Sequence, residues 1–420
     1  MQFTNVTCPH CGLLCDDLSV QVDDGQVDLS SPLNDHCSSA FQDACLTNKH
    51  PSPTISGKTA TLEQAISKAA EILTQASLPI VNGLIADVQA CRAAVALTEK
   101  VSGVIDHANG KNIRPNVAVM QRMGKVKTTL AEARNRADNI IIFGSAVLDR
   151  FPRLVDRILQ PEQSLGSDQT LHKTITILDV KGTQPSAQIN KHSSINHIQL
   201  QLDSLDSVIQ SFQNIVQNSS VTNTDTSETD KVLIRLRDQI YEKNYSVIIW
   251  STSLLAPDAA EHSIQSITHA IKNMMTEVRC VGMPLGGSKG EITASQVVTW
   301  QTGVPLPVAF MSGVPQHDPT LYDGAHMIAQ QEVDAMLWLS TYRPTDTPPE
   351  CSIPTVVIGH PNMQCEHADV FIPVGIPGID TRGLACRTDS VATLPLLKIR
   401  DIALPHASDV IEKINQKITY

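Results

Sequence analysis

Ile140-Ile141-Ile142-Phe143-Gly144 and Ile175-Thr176-Ile177-Leu178-Asp179 decide the fold. Each is a short apolar run that ends on a small or polar residue. Ser246–Trp250 (SVIIW), Ala335–Ser340 (AMLWLS), Thr355–Gly359 (TVVIG) and Asp369–Pro373 (DVFIP) have the same form, as does Pro79–Gly83 (PIVNG). Runs without polar alternation suit strands covered on both faces, hence a parallel sheet with crossover helices. The stretches between them carry helical signals. Thr61 with Gln64 resembles a capping box, and Leu62, Ala65, Ile66, Ala69 and Leu73 recur at helical spacing. A second helix pattern covers about 87–101. In open α/β sheets ligands lie outside the carboxyl ends of the strands. Gly144 and Ser145, Asp179, and the residues around 110–116 are therefore candidate pocket positions.

The chain has 420 residues, which predicts two or three packed domains. Apolar residues make up 41% and charged residues 18%, enough for sizeable cores. The net charge of −11 argues against a nucleic-acid or membrane-surface binder, since both need a basic face. No apolar run approaches the roughly 20 residues of a spanning helix. The N-terminus, MQFTNVTCPHCG, lacks a secretory layout, so a cytoplasmic protein is expected. QNSSVTNTDTSETD (217–230) is polar and low in complexity, and reads as a loop or joint between two α/β halves. HPSPTISGK (50–58) reads as a linker. The expected division is a cysteine-rich module over 1–55, an α/β domain over 56–216, a polar loop over 217–231 and a second α/β domain over 232–420. Both α/β domains are expected to be doubly wound.

Five of the ten cysteines fall in the first 45 residues. Clustered cysteines in a large cytosolic chain more often bind metal than form disulfides. Leu18, Val20 and Val22 alternate with polar residues, and Val27 and Leu29 answer them across Asp24-Gly25. That is a hairpin signature, and it would carry Cys37 back toward Cys8, Cys11 and Cys15. Three thiolates from one tight loop and a fourth that returns suit a four-iron cluster. Tetrahedral zinc is satisfied by the same four cysteines. His10 and His36 abut cysteines and could ligate zinc, but each reads as solvated. Cys91, Cys280, Cys351, Cys365 and Cys386 read as ordinary core or loop thiols. GGSKG (286–290) imitates part of a glycine-rich fingerprint, but without evident strand-into-helix context it reads as a loop. His367 after Glu366 reads as a solvated loop residue. No phosphate loop and no HExxH is present.

CPHCGLLCDD with Cys37 beyond it resembles the cluster module of the molybdopterin oxidoreductases, and most of all the B subunit of formylmethanofuran dehydrogenase. The resemblance spans almost the whole chain. GVIDHANGKNIRPNVAVMQRMG (103–124) is similar to the family segment that carries the metal-binding cysteine. IIIFGSAVLDRFPR (140–153), ITASQVVTWQTGVP (292–305) and HADVFIPVGIPGIDTRGLACRTD follow in family order, and TWQTG is the most specific stretch. The resemblance implies an iron–sulfur hairpin module, α/β domains around a bis-pterin pocket, and one-carbon chemistry through a formyl group on a furan-type carrier.

The departures carry as much information. The family motif Cys-His-Gly-Pro-Ser-Val falls on Asn112-Ile113-Arg114-Pro115-Asn116-Val117, so the metal ligand is replaced by Asn112 and the neighbouring histidine by Ile113. The family run Ser-Arg-Gly-Tyr-Pro-Arg falls on Met311–Gln316, where Ser312 and Gln316 stand in place of two arginines. A carboxamide is a poor donor for tungsten or molybdenum, which prefer soft anionic ligands. An isoleucine moves no proton. A serine offers no bidentate fork for a carboxylate. The resemblance therefore points to the bacterial relatives without this ligand, in the formyltransferase/hydrolase complex of methylotrophs. That assembly moves a formyl group from tetrahydromethanopterin to methylofuran and releases it as formate. The implied role is a non-redox scaffold beside the A, C and D subunits and close to a methylofuran-type carrier. No catalytic residue is assigned to the chain itself. Gly144, Ser145 and Asp179 would line a residual pterin pocket. A molybdopterin guanine dinucleotide with tungsten or molybdenum is not expected. The rival readings are a redox-active dehydrogenase subunit and a zinc-stapled interaction protein.

Overall fold

The computed structural model describes every residue except 24, 30–40, 46–50, 166–171, 193, 219–226, 288 and 420. Along the chain the strands are β1 (Gln2–Val6), β2 (Leu18–Asp23), β3 (Gln26–Leu29), β4 (Thr54–Ile55), β5 (Lys58–Thr59), β6 (Pro79–Ile85) and β7 (Val104–Ile105). Then come β8 (Asn139–Phe143), β9 (Thr174–Val180), β10 (Ile195–Leu200), β11 (Ser246–Trp250) and β12 (Cys280–Pro284). The last are β13 (Val308–Ala309), β14 (Ala335–Ser340), β15 (Thr355–Gly359), β16 (Val370–Pro373), β17 (Gly383–Cys386) and β18 (Thr393–Leu396). All seven apolar runs quoted above are strands. Among the described residues no helix is long and apolar enough to cross a membrane.

The chain forms two units. One takes Met1–Gly110 and Gly287–Tyr420, the other Lys111–Gly286. This corrects the expected division. The boundary does not fall at 217–231, because the second unit's sheet takes β8–β10 from before that segment and β11–β12 from after it. Gln217 ends one helix and Ser227 caps the next, whereas 219–226 lie outside the described residues. The cysteine module over 1–55 belongs to the first unit.

The second unit is a five-stranded sheet in the order β10-β9-β8-β11-β12, and every pairing is parallel. Strand order reverses between β8 and β11, which marks the doubly wound arrangement and its switch point. β8 and β11 are buried at every position. Helices Leu205–Gln217, Glu228–Glu242 and Ala260–Met274 bury their apolar faces in one cluster around Trp250 and Phe212.

The first unit has an eight-stranded sheet in the order β13-β7-β6-β14-β15-β16-β4-β5. β7, β6, β14, β15 and β16 are parallel, and β13 and the β4–β5 hairpin close the two edges antiparallel. The stretch expected to be a linker, 50–58, thus supplies part of an edge hairpin. It turns on Ser56 and Gly57, both with positive φ. The order in the parallel part reverses between β6 and β14. There Gly83 adopts φ +88°, and a Cβ on it would stand 2.6 Å from the Leu339 carbonyl oxygen. The pairing also slips by one residue, so this close crossing requires glycine. Helix Leu62–Gln75 starts with the expected capping box: Gln64 N–H donates to Thr61 Oγ1 at 3.2 Å and Thr61 N–H to Gln64 Oε1 at 2.9 Å. Helix Val88–Lys100 is capped by Asp87. The module itself is the antiparallel sheet β1-β2-β3, with the expected hairpin between β2 and β3.

Candidate functional site

The cysteine loop is a tight turn. Cys8 N–H donates to the Cys15 carbonyl at 2.8 Å, and Leu14 N–H to that of Cys11 at 3.2 Å. Cys8 and Cys15 are buried, Cys11 is partly exposed, and none is in a disulfide. Cys37 and His36 lie outside the described residues. His10, expected to be solvated, is 4% exposed and packs edge-on against Phe41 at 4.8 Å between ring centroids. Its neighbours in sequence belong to a docked loop, which shuts it from water. Among the described residues no set of three or more His, Cys, Asp or Glu surrounds a single ion. A four-iron cluster takes one thiolate at each corner of a body wider than a single ion, and three thiols from one buried loop suit it in donor type.

This loop covers the switch point of the eight-stranded sheet. Leu14 packs with Ile85 at the end of β6, with Tyr342 beyond β14, and with Ala385 and Leu396. Beneath it the crevice is filled by the chain's own polar groups. Asp87 is fully buried, and its Oδ1 accepts from Ala90 N–H at 3.2 Å, where a ligand anion would otherwise cap the helix. His406 Nε2 stands 3.5 Å from Asp87 Oδ2. Burial lowers the His406 pKa, but the hydrogen bond and charge of Asp87, with Asp409, leave it raised overall. His107 follows β7. Burial holds its pKa down at about 4, and it accepts from Asn109 N–H at 2.9 Å.

The glycines of 286–290 lie between β12 and helix Glu291–Thr302, so strand-into-helix context does exist. Its anion position is nevertheless taken. The buried Glu291 carboxylate accepts from Gly287 N–H at 2.6 Å and from the Asn109 amide.

In the second unit the structure brings Gly144, Ser145 and Asp179 together. Asp179 Oδ1 accepts from Ser145 N–H at 2.9 Å, and Oδ2 is 2.8 Å from His197 Nε2. Ser145 is 0% and Asp179 1% exposed. Ser186 N–H donates to Ser145 Oγ at 3.3 Å, and its hydroxyl donates to Asp149 at 2.6 Å. A Cβ on Gly144 would meet Leu254 at 2.8 Å and Leu205 at 2.9 Å. The expected pocket residues therefore form a closed hydrogen-bonded knot under two leucines. The described residues do not fit a pterin phosphate here, since the N–H groups of Gly144, Ser145 and Ser186 are already committed and the approach to Gly144 is filled.

Asn112 and Ile113 lie in helix Gly110–Met123, in which Pro115 occupies the second turn. Both are partly exposed. Asn116 Nδ2 donates to Thr252 Oγ1 at 2.5 Å, and Lys125 Nζ donates to Asn116 Oδ1 at 3.2 Å. Burial, and secondarily Lys127, lowers the Lys125 pKa to about 8. Ser312 and Gln316 belong to the first unit. Ser312 and Gln316 are both exposed, on a loop closed by backbone bonds between Ala309 and Gln316. His367 is exposed, as expected. Cys91, Cys280 and Cys386 are buried thiols, with pKa values raised by burial.

Two doubly wound sheets and an N-terminal cysteine hairpin define a mixed α/β protein of the kind that places ligands at strand carboxyl ends. No family model matches the chain. It is homologous to the B subunit of formylmethanofuran dehydrogenase and to the B subunit of the formyltransferase/hydrolase complex. It is 26% identical to the B subunit of the tungsten-containing formylmethanofuran dehydrogenase 2 of Methanocaldococcus jannaschii, over 94% of this chain and 93% of that protein. It is 26% identical to the B subunit of the formyltransferase/hydrolase complex Fhc of Methylorubrum extorquens, over 78% of this chain and 86% of that one. It shares its fold with a chain in the crystal structure of the M. extorquens formyltransferase/hydrolase complex (FhcABCD) in complex with methylofuran. The TM-score is 0.73 at 23% identity, covering 87% of this chain and 98% of that one.

Proposed function

We propose that this chain is the B subunit of a formyltransferase/hydrolase complex, assembled with A-, C- and D-type subunits, and that it serves there as a scaffold without redox chemistry. In that setting the complex passes a formyl group from tetrahydromethanopterin to a methylofuran-type carrier and releases it as formate. The observation that carries the reading is the donor set at the start of helix Gly110–Met123. It offers the Asn112 carboxamide and the Ile113 alkyl chain where the dehydrogenase pattern has thiolate and imidazole. The filled crevices at Gly144 and Asp87 support it. Cys8, Cys11, Cys15 and Cys37 would hold a four-iron cluster. A bound cluster would supply a cross-link to a module with little core of its own.

The test is metal and pterin analysis of the complex purified anaerobically. The expected result is iron and acid-labile sulfide, tungsten and molybdenum at background, and formate release intact. Tungsten or molybdenum at one per chain, with pterin released by acid, would refute the scaffold reading. It would favour the redox-active alternative, to which the tungsten-containing relatives lend weight.

A further inference from the structure

We propose that the buried Arg400–Asp380 pair is the positioning element of the N-terminal cysteine module, and that the module keeps its metal only while the pair is intact. The proposal rests on the reading above, in which the module's cysteines hold a cluster. Arg400 is 3% exposed and uses its whole fork. Nε donates to Asp380 Oδ1 at 2.6 Å and Nη2 to Oδ2 at 3.1 Å. Nη1 donates to two module carbonyls, Gly25 and Ala44, each at 2.7 Å. Gly25 makes the β2–β3 turn with φ +80°, and Ala44 lies in the turn over 41–45. One guanidinium thus ties two separate bends of the module to the same carboxylate.

Asp380 is itself fixed, since its Oδ2 accepts from Ile376 N–H at 3.0 Å. The neighbouring His360 adds no charge, because burial, and then the charge of Arg400, holds its pKa down at about 3. Three further contacts repeat the pattern. Asn362 Nδ2 donates to the Cys45 carbonyl at 2.7 Å, Arg343 to that of His10 at 3.2 Å, and Thr388 N–H to that of Gly12 at 2.7 Å. In each, the module supplies a backbone acceptor and the later part of the chain supplies the donor. Arg400 is the member of this set whose charge is buried, so its loss cannot be made good by water. A lysine could reach one carbonyl or the carboxylate, but not both arms of the fork.

The full chain, or the complex that contains it, would be prepared anaerobically as wild type, Arg400→Met, Arg400→Lys and Asp380→Asn. Iron, acid-labile sulfide and zinc would be measured per chain. Hydrogen exchange would be followed at β1–β2 and, as a control, at β8–β11. The expected result is loss of most of the metal in Arg400→Met and Asp380→Asn, with about tenfold or more loss of protection at β1–β2. Arg400→Lys should keep an intermediate share, and β8–β11 should exchange as in wild type. Should Arg400→Met fail to fold, Arg400→Lys carries the same readouts. Metal and protection equal to wild type in the variants would overturn the proposal. A wild-type chain without metal would sink the cluster reading and the metal half of the proposal, while exchange at β1–β2 would still decide whether Arg400 holds the module.

Discussion

The two sheets obey one topological rule and fill its consequence differently. In the eight-stranded sheet the crevice between β6 and β14 is closed by charge and by a visiting loop. Asp87 caps its own helix, Glu291 folds back on Gly287, and Leu14 of the cysteine loop lies over Ile85 and Tyr342. In the five-stranded sheet the crevice between β8 and β11 is closed by alkyl groups above a polar knot, with Leu205 and Leu254 over Gly144 and Asp179 bonded to Ser145. The first closure draws on a loop of the module, the second on residues of its own unit. At both switch points the described residues make contacts of the chain with itself.

Four substitutions would break or sharpen that comparison. Gly83→Ala should have the largest effect, about 3 kcal/mol, because its Cβ would drive into the Leu339 carbonyl at a positive φ. Denaturant unfolding followed by exchange at β6 and β14 reads it, and the five-stranded sheet should be spared. Asp87→Ala removes a buried helix cap and the partner of His406, and should destabilise the first unit by about 2 kcal/mol. Leu254→Ala should cost about 1–2 kcal/mol, confined to the second unit, because the partly exposed side chain can be replaced by water. An equal loss in both units would show that the two closures are not independent.

The smallest effect is a pH dependence. The folded pKa of His406 lies above its unfolded value, so the stability it adds is present in full below the unfolded pKa, about 6.5, and is lost as pH rises through the folded pKa. Wild type should therefore exceed His406→Gln in stability by more at about pH 6 than at about pH 8.5, and Leu254→Ala should show no such dependence. A flat difference would remove the Asp87–His406 charge from the account.

The parts that were legible are those in which neighbours in sequence are neighbours in space. Thr61 and Gln64 are one helical turn apart, and the capping box stands as read. The runs ending at Phe143, Leu178 and Trp250 lack the polar alternation that a solvated face would need, and all are interior strands of their sheet. The hairpin at Gly25 was legible for the same reason. What escaped depends on distant partners. β4 and β5 have two residues each, and Thr54–Lys58 alternation says nothing until β16 provides an edge. Helix Gly110–Met123 was hidden by Pro115 and its opening glycine. The division into units was illegible because a polar loop between two helices of one sheet looks like a joint between domains. Gly144, Ser145 and Asp179 were found from strand ends, but their closure by Leu205 and Leu254 has no local sign. Arg400 carried no signal either, since its carbonyl partners lie 375 and 356 residues away.

The insertion of one unit within the sequence of the other has a temporal side. β6 is buried at every residue, and its partner β14 is made about 250 residues later, after all of the five-stranded sheet. At the usual 5–20 residues per second of synthesis, that apolar strand waits roughly 12 to 50 s for cover. The inserted sheet has every strand in hand well before then and can close first. Yield in a heterologous host should therefore depend on holding the nascent front half in solution, and slowing translation after residue 286 should lower it further.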